Sequence, residues 1–248
     1  MEELTIPTEL SEKLRAAKKV VALTGAGVSA ESGLATFRDA QTGLWAKYRP
    51  EELATPQAFI ANPELVWNWY AWRRELAGKA EPNPGHHALV AMAAKVPELL
   101  LVTQNIDGLH QTAGSEKVIE LHGNIHRTKR FDDNQIVTEW AETGEVPPRC
   151  PATNSLLRPD VVWFGENLPP GALAQAAIAA AECDVFFSIG TSSVVFPAAS
   201  LIGETLRNGG LTVEINPGET PHSSAVSFVL RGPSGSVLPA LVKQTWPD

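Results

Sequence analysis

The sequence predicts an α/β fold, in which a doubly wound and mostly parallel sheet carries a smaller inserted lobe. One observation is a set of short apolar runs without polar alternation, which is typical of strands buried on both faces. The other is that helical, Ala-rich segments alternate with these runs along the chain. Strands and helices in alternation favour an open sheet with helices on both sides.

The apolar runs have the length and composition of buried parallel strands, and they cover residues 20–23, 99–102, 185–189 and 211–215. Each run ends in a polar or Gly-containing turn: 24–27, 103–105, 190–192 and 216–218, respectively. Ligands of doubly wound sheets bind beyond the carboxyl ends of the strands. We therefore expect a binding site where these turns meet.

Helical segments are predicted at 169–182 and 197–208, and an amphipathic first helix is indicated by the spacing of Leu10, Leu14 and Ala17. Residues 39–88 are rich in Trp, Ala and Pro and contain a helical segment at 63–76, and residues 125–157 are polar. Neither stretch follows the strand and helix alternation. Both are predicted to build the smaller lobe.

Composition excludes several classes of protein. The chain has 248 residues and a formal net charge of −8, without the basic run that direct nucleic-acid binding requires. No stretch reaches the roughly 18 to 20 apolar residues that span a bilayer. The two cysteines form no disulfide framework, and the first residues resemble neither a secretory signal nor a transit peptide. We expect a cytoplasmic protein without membrane or nucleic-acid partners.

A glycine-rich turn follows the first predicted strand. Gly25-Ala26-Gly27-Val28-Ser29-Ala30 has the pattern G-x-G-x-x-A at the start of a helical stretch, where backbone and helix amides can face a pyrophosphate. A dehydrogenase would carry an acid at the end of its second strand, roughly 20 residues on. Residues 31–39 contain no strand at all. Hydride transfer is therefore disfavoured.

The strands, the glycine-rich turn and the two irregular stretches together predict two domains. The Rossmann-like domain takes residues 1–38, 89–124 and 158–248, and the small domain takes residues 39–88 and 125–157.

Taken together and in order, several motifs resemble those of the sirtuin family over almost the whole chain. The segments that carry the resemblance are 25–33 with Thr36-Phe37-Arg38, Thr103-Gln104-Asn105-Ile106-Asp107-Gly108-Leu109-His110, Leu121-His122-Gly123-Asn124, 161–166, 190–194 with Pro197, Asn216-Pro217 and Gly232-Pro233-Ser234. The resemblance implies an NAD-dependent protein-lysine deacylase. By the same resemblance, the expected products are nicotinamide, the deacylated lysine and O-acyl-ADP-ribose.

His122 is the candidate catalytic base. It follows a predicted strand end at 118–121, and imidazole is the usual general base near neutral pH. By the resemblance, the acyl oxygen attacks the nicotinamide ribose, nicotinamide leaves, and His122 activates a ribose hydroxyl. The other histidines are interpreted as structural.

The resemblance also assigns the NAD contacts. Asn105 and Asp107 belong to the nicotinamide subsite, Gln104 to the ribose, and Arg38 to the phosphates or the cofactor loop. An alternative structural role for Asp107 is to cap the next helix. Ser192, Asn216 and Ser234 would bind the adenosine half. The complete predicted set is Gly25, Ala26, Gly27, Ser29, Thr36, Phe37, Arg38, Gln104, Asn105, Ile106, Asp107, Gly190, Thr191, Ser192, Val194, Asn216 and Ser234.

The predicted substrates are acyl-lysine proteins or peptides. By the resemblance, a strand-like segment would pair with the extended peptide by strand addition, and Phe164 would line the acyl-lysine tunnel. This segment consists of Val162, Trp163, Phe164, Gly165 and Glu166. The protein is expected to be a monomer.

Tyr70 and Arg73 predict which acyl group is removed. They lie three residues apart, on one face of the predicted helix. They match the Tyr-x-x-Arg pair of the sirtuin subclass that prefers succinyl, malonyl and glutaryl groups, and Ala54 matches the small residue that enlarges its pocket. A guanidinium can bind the distal carboxylate of such groups. The alternative is an Arg that merely extends from an aromatic helix.

Most sirtuins carry a structural zinc ion on two C-x-x-C pairs. Here these pairs align with Arg130-Phe131-Asp132-Asp133 and Cys150-Pro151-Ala152-Thr153, which retain one cysteine. Tetrahedral thiolate sites need four ligands. We expect no metal, and we expect Arg130 and Asp133 to pair while Cys150 packs as a small apolar residue.

Two alternative functions remain open at the level of the sequence. One is an NAD-dependent ADP-ribosyltransferase or NAD hydrolase that would use the same Asn105, Asp107 and His122. The other is a non-catalytic NAD or ADP-ribose sensor, which the retention of His122 disfavours.

Overall fold

The computed structural model of the protein describes residues 5–35, 48–141 and 143–247. The helices in these ranges are α1 (Thr8–Ala16), α2 (Gly27–Ala30), α3 (Pro50–Leu53), α4 (Pro56–Ala61), α5 (Pro63–Lys79), α6 (Pro84–Ala93), α7 (Leu109–Ala113), α8 (Ala172–Glu182), α9 (Leu201–Arg207) and α10 (Ser234–Thr245). The strands are β1 (Lys19–Thr24), β2 (Glu98–Thr103), β3 (Val118–Glu120), β4 (Gly123–Arg130), β5 (Ile136–Val137), β6 (Leu157–Val161), β7 (Val185–Ile189), β8 (Leu211–Ile215) and β9 (Phe228–Leu230).

The larger sheet has the order β3-β2-β1-β7-β8-β9, and every neighbouring pair is parallel. The strand order reverses between β1 and β7. Such a reversal opens a crevice beyond the carboxyl ends of the strands, where doubly wound folds bind their ligands. The predicted fold class is confirmed.

Burial on both faces of this sheet explains why its strands lack alternation. Val20 and Ala22 of β1 pack into one apolar core with α1, α6 and α10. Val21 and Leu23 face the opposite core, which α8 and α9 cover. Apolar residues are therefore required at consecutive positions.

A second, antiparallel sheet has the order β5-β4-β6. Aromatic residues of α4 and α5, among them Phe59, Trp69 and Tyr70, pack against Ile125 and Trp163 to form its core. The chain passes from the larger sheet to the smaller one between β3 and β4. His122 lies in this short connection.

The predicted boundaries between the two parts differ from the structure. α6 begins at Pro84, and its residues Leu89 and Met92 belong to a core of the larger sheet, so the helix is not divided at residue 89. β4 and β6 pair from Gly123 to Val161, which places residues 123–124 and 158–161 in the second sheet. Composition marks neither boundary, because long-range strand pairing and packing decide both.

The predicted helix at 197–208 begins as a short 3-10 turn, Ala198–Ser200, and continues as α9. Among the described residues, none of the helices has the length and apolar character needed to cross a bilayer.

Candidate active site

The turns that follow β1 and β7 are in direct contact at the point of strand reversal. Gly27 N donates to Gly190 O at 2.8 Å, and Gly25 N donates to Ile189 O at 3.0 Å. A Cβ atom on Gly25 or Gly27 would lie 2.8 Å from Gly190 O. Gly190 has a φ of +58°, and its own Cβ would lie 2.5 Å from Val28 N. Larger residues at these three positions would push the turns apart.

The helix after this turn is shorter than predicted. α2 ends at Ala30 and is followed by a turn over 31–33. A single turn carries little of the dipole of a full helix, so α2 does not support the prediction that a helix N-terminus faces an anion. The predicted contacts Thr36, Phe37 and Arg38 lie outside the described residues.

Asn105 and Asp107, the two residues predicted for the nicotinamide subsite, form one hydrogen-bonded group with Ser29 of the glycine-rich turn. Ser29 Oγ donates to Asp107 Oδ2 at 2.7 Å, and Asn105 Nδ2 donates to Ser29 Oγ at 3.2 Å and to Gly25 O at 3.1 Å. Asp107 Oδ1 accepts from Leu109 N at 2.9 Å, at the start of α7. Asp107 thus makes the predicted capping bond and still reaches the subsite with its other oxygen.

Gln104 joins the turns after β2 and β7. Its Nε2 donates to Thr191 Oγ1 at 3.2 Å, and Thr191 Oγ1 also accepts from Ser193 N at 3.2 Å. Ile106 lies two residues after Gln104, and its carbonyl oxygen accepts a hydrogen bond from Ile125 N at 2.8 Å. This bond ties the subsite to the smaller sheet.

His122 is held by the turn that follows β2. Its Nδ1 lies 2.9 Å from the carbonyl oxygen of Gln104. A carbonyl oxygen only accepts, so Nδ1 carries the proton and Nε2 keeps its lone pair. Burial lowers the pKa of His122, and the bond to Gln104 opposes this only in part. The ring is neutral at pH 7, as a general base requires.

The residues predicted to bind adenosine lie along the same edge of the larger sheet. Asn216 follows β8, and its Nδ2 donates to Gly218 O at 3.0 Å. Ser234 opens α10 and donates to Glu31 Oε1 at 3.3 Å. Ser192 and Ala26 are partly buried in neighbouring turns, whereas Val194 is 46% exposed.

Tyr70 lies on α5 and is buried in the core of the smaller lobe. Its hydroxyl oxygen accepts from Trp163 Nε1 at 3.0 Å, and burial raises the pKa of Tyr70 to about 12, so the phenol stays protonated. Arg73 stacks on the Trp69 ring, with Cζ 4.9 Å from its centroid. Burial lowers the pKa of Arg73, while Tyr70 and Asp107 act in the opposite direction. Arg73 is thus a largely desolvated cation on the same helix as Tyr70.

The segment Val162 to Glu166 is not the predicted strand, because β6 ends at Val161 and a turn follows. Gly165 has a φ of +87°, and Glu166 N donates to Trp163 O at 3.0 Å. The carboxylate of Glu166 accepts from Trp163 N at 2.7 Å. Phe164 N donates to Ala54 O at 2.9 Å, and the Phe164 side chain is 48% exposed. A tight turn, which Gly165 permits at its positive φ, and side-chain capping by Glu166 thus replace strand geometry here.

Glu166 stabilises this turn from inside the smaller lobe. It forms an ion pair with Arg158 at 2.5 Å, and Arg158 is 1% exposed. The Arg158 guanidinium carbon lies 3.2 Å from the centroid of the Trp163 ring. The carboxylate of Glu166 and the indole of Trp163 therefore support the turn, and of the predicted substrate residues in this segment only Phe164 presents an exposed side chain.

The residues aligned with the zinc ligands do not fit a zinc ion. Arg130 donates to both carboxylate oxygens of Asp133, at 2.8 and 2.6 Å. Hydrogen bonds, first of all with Thr153, lower the pKa of the Cys150 thiol to about 7, and Arg130 acts in the same direction. A guanidinium thus lies among the few remaining donors. The described residues contain no group of three or more His, Cys, Asp or Glu side chains that could hold a metal ion.

Three charged residues around the site were missed in the sequence: Glu31, Arg158 and Glu214. Glu31 accepts from Gly235 N at 2.8 Å at the start of α10. Glu214 lies in β8 and is 1% exposed. The sequence did contain a signal for Glu214, which is the single acid within an apolar parallel strand. An acid in such a strand is buried, and a buried charge needs fixed partners.

The sequence and the fold of this chain are similar to those of known proteins. The model of the Sir2 family matches residues 25–197, more than half of the chain. A protein of Aquifex aeolicus named NAD-dependent protein deacylase is 53% identical over 203 residues, which cover 82% of this chain and 84% of that protein. A crystal structure of a Sir2 homolog–NAD complex has 44% identity and a TM-score of 0.90, and the match covers 99% of this chain and 96% of the other. A mutant Sir2 homologue in complex with 2′-O-acetyl ADP ribose has 46% identity and a TM-score of 0.90, covering 97% and 96%.

Proposed function

The chain belongs to the Sir2 family and is an NAD-dependent protein deacylase, and from this premise we propose that it removes acidic acyl groups from lysine side chains. Succinyl, malonyl and glutaryl groups are the preferred substrates, and deacetylation is weaker. The observation that carries this preference is that Arg73 lies one helical turn after the buried Tyr70 on α5, with its guanidinium stacked on the Trp69 ring.

The preference follows from the chemistry of the acyl end. A guanidinium binds a carboxylate through paired, charged hydrogen bonds, and a protonated phenol can donate one more. Tyr70 accepts from Trp163, and it donates its own O–H to none of the described residues. Ala54, which belongs to the same apolar cluster, contributes only a methyl group to the pocket wall. An acetyl group offers Arg73 no carboxylate.

His122 supplies the base. In the proposed reaction the acyl oxygen attacks the anomeric carbon of the nicotinamide ribose and the bond to nicotinamide breaks. His122 then takes a proton from a ribose hydroxyl, and the oxygen of that hydroxyl attacks the acyl carbon. The lysine nitrogen is protonated and leaves as the amine. A water molecule adds to the acyl carbon, the bond from this carbon to the anomeric oxygen breaks, and the acyl group stays on the ribose. The products are nicotinamide, the deacylated lysine and O-acyl-ADP-ribose. Support comes from the Nε2 lone pair of His122, and from the related protein that binds 2′-O-acetyl ADP ribose.

NAD would lie along the carboxyl edge of the larger sheet, which we assign as the NAD-binding domain. The Ser29, Asn105 and Asp107 group would face nicotinamide, and Ser192, Asn216 and Ser234 would face adenosine. The small domain would close over the acyl-lysine of the protein substrate. We assign the active form as a monomer.

We also propose that the small lobe needs no zinc. The two-point contact of Arg130 with Asp133 stabilises the first turn, and Cys150, which is 5% exposed, packs in the second. The hydrogen bond from Phe131 N to Leu156 O at 2.9 Å takes the place of the metal in joining the two segments. Burial of Trp163 and Phe59 in the lobe core supplies the larger part of its stability.

A panel of peptides tests the proposed function. One lysine peptide is prepared in acetyl, succinyl, malonyl and glutaryl forms and assayed with NAD, with all products identified by mass spectrometry. We expect kcat/KM for the acidic forms to exceed that for the acetyl form by about tenfold or more. An acetyl peptide that reacts equally fast would refute the preference. Free ADP-ribose or labelled protein in place of O-acyl-ADP-ribose would favour an NAD hydrolase or ADP-ribosyltransferase.

A further inference from the structure

Glu214 is a buried carboxylate in β8, two residues before Asn216. Ser223 Oγ donates to Glu214 Oε1 at 2.6 Å, Thr220 donates to Oε2, and Arg231 Nη1 donates to Oε1 at 2.6 Å. Burial acts to raise the pKa of Glu214, but these bonds outweigh it and the pKa lies below its ordinary value. The carboxylate is therefore ionised at neutral pH and holds the Arg231 guanidinium in place.

Arg231 extends this anchor to the turn that follows β8. The same Nη1 donates to Gly218 O at 2.7 Å, and Nη2 donates to Ser223 Oγ at 3.0 Å. The side chain is 37% exposed, against 1% for that of Glu214. The two Nη1 hydrogens bind Glu214 and Gly218 and an Nη2 hydrogen binds Ser223, so a single planar guanidinium makes all three bonds in a fixed geometry.

The Gly218 carbonyl is also the partner of Asn216. Asn216 Nδ2 donates to it at 3.0 Å. Because a backbone carbonyl only accepts, the amide nitrogen must face Gly218, and Oδ1 faces away. Among the described residues, none donates a hydrogen bond to Asn216 Oδ1. The amide thus presents a fixed acceptor.

This acceptor lies at the edge where the site is built. Gly190 N donates to Ile215 O at 2.9 Å, and Gly232 N donates to Asn216 O at 3.4 Å. Asn216 is therefore placed between the turn after β7 and the start of α10, and it is partly exposed there.

We propose that Arg231, anchored by Glu214, is a positioning residue that fixes the Asn216 amide so that Oδ1 accepts a hydrogen bond from an adenosine-ribose hydroxyl. This inference rests on the proposed function, because it concerns the adenosine half of the same NAD site. It assigns a role to a pair of residues outside the motifs of the site. It also states the polarity of the contact: the ligand donates and the protein accepts.

Binding of ADP-ribose, measured by calorimetry, tests the proposal without relying on activity. Arg231→Gln should weaken ADP-ribose binding by about five- to thirtyfold, since the Asn216 amide is then free to rotate. In steady-state assays the KM for NAD should rise and kcat should stay unchanged. Arg207→Gln is the matched control: Arg207 is an exposed arginine that pairs with Glu204 at the end of α9, next to the opposite edge of the sheet.

The decisive readout uses ADP-ribose analogues with a 2′- or 3′-deoxyadenosine. For the analogue that lacks the recognised hydroxyl, the wild-type protein and Arg231→Gln should bind with equal affinity. An equal loss for ADP-ribose and for both analogues would reduce Arg231 to a structural residue and overturn the inference, as would unchanged ADP-ribose binding by the variant. If the wild-type protein binds no ADP-ribose, the proposed function itself fails.

Discussion

The Nδ1 atom of His122 lies 2.9 Å from the carbonyl oxygen of Gln104, and this contact determines which ring nitrogen is basic. Gln104 belongs to the turn after β2, which also carries Asn105 and Asp107. The proposed base is therefore oriented by the backbone of the proposed nicotinamide subsite. Any shift of that turn would move the base together with the subsite.

The pH dependence of the reaction should reflect the burial of His122. Burial lowers its pKa below the ordinary 6.5, so the base stays neutral to a lower pH than an exposed imidazole does. We expect the acid limb of kcat/KM for NAD to have its midpoint below pH 6.5, because kcat/KM reports ionisations of the free enzyme. A pH–rate profile measures this midpoint, with ADP-ribose binding over the same range as control. A midpoint above 6.5 would contradict the assignment.

Arg73→Met should separate acidic from neutral acyl groups. Methionine retains much of the packing against Trp69 but removes the charged donors. We expect kcat/KM for a succinyl peptide to fall by about 10- to 100-fold, while that for the acetyl peptide changes little.

Arg73→Lys is the matched variant for the same assay. It keeps the charge and loses the paired geometry, so its effect on desuccinylation should be intermediate. Thermal melts of both variants check that α5 remains packed. Equal losses with succinyl and acetyl peptides would exclude the carboxylate contact.

Metal analysis tests the small lobe. Purified protein should contain far less than one zinc ion per chain, and a chelator should leave both the melting temperature and the activity unchanged. Asp133→Asn keeps the size of the side chain and removes the charge that faces Arg130. This variant should melt at a slightly lower temperature without gaining zinc. Stoichiometric zinc in the wild-type protein would refute the proposal.

The buried His110 should make the free energy of unfolding depend on pH. Burial, and to a lesser extent His86, lowers the pKa of His110 to about 3. In the unfolded chain His110 binds a proton near pH 6.5, whereas in the folded chain it binds one only near pH 3. The contribution of His110 to the free energy of unfolding is therefore complete above pH 6.5 and is lost as the pH falls towards 3.

His110→Gln removes this titration. The free energy of unfolding, measured by urea denaturation at about pH 7 and about pH 5, should fall less in the variant than in the wild-type protein. Carboxylates titrate in both proteins and cancel in the comparison. Parallel losses would mean that His110 does not titrate as described.

The larger sheet could be predicted because its strands are buried on both faces. The runs at 185–189 and 211–215 agree with β7 and β8, and those at 20–23 and 99–102 are each one residue short at both ends. The strand β4 was missed because it carries polar residues such as Lys129, whose charge is met by Asp160 across the sheet. The helix α10 was missed because Pro239 lies inside it and hides its periodicity.

The site could be predicted where its residues are neighbours in sequence. Gln104, Asn105 and Asp107 share one turn, and their grouping follows from the end of one strand. Contacts between distant residues left no such signal: Tyr70 and Trp163, which form one hydrogen bond, are 93 positions apart. The same limit applies to the turn at 162–166, whose geometry depends on the ion pair between Glu166 and the buried Arg158.

The most direct test of the central claim compares two reactions of the His122→Ala variant. In the proposed order, nicotinamide leaves before His122 acts, so the variant should still exchange labelled nicotinamide into NAD in the presence of succinyl peptide. Its deacylation should fall by about 100-fold or more, because a positioned base contributes roughly 10²- to 10⁴-fold. Undiminished deacylation by this variant would show that His122 is not the base.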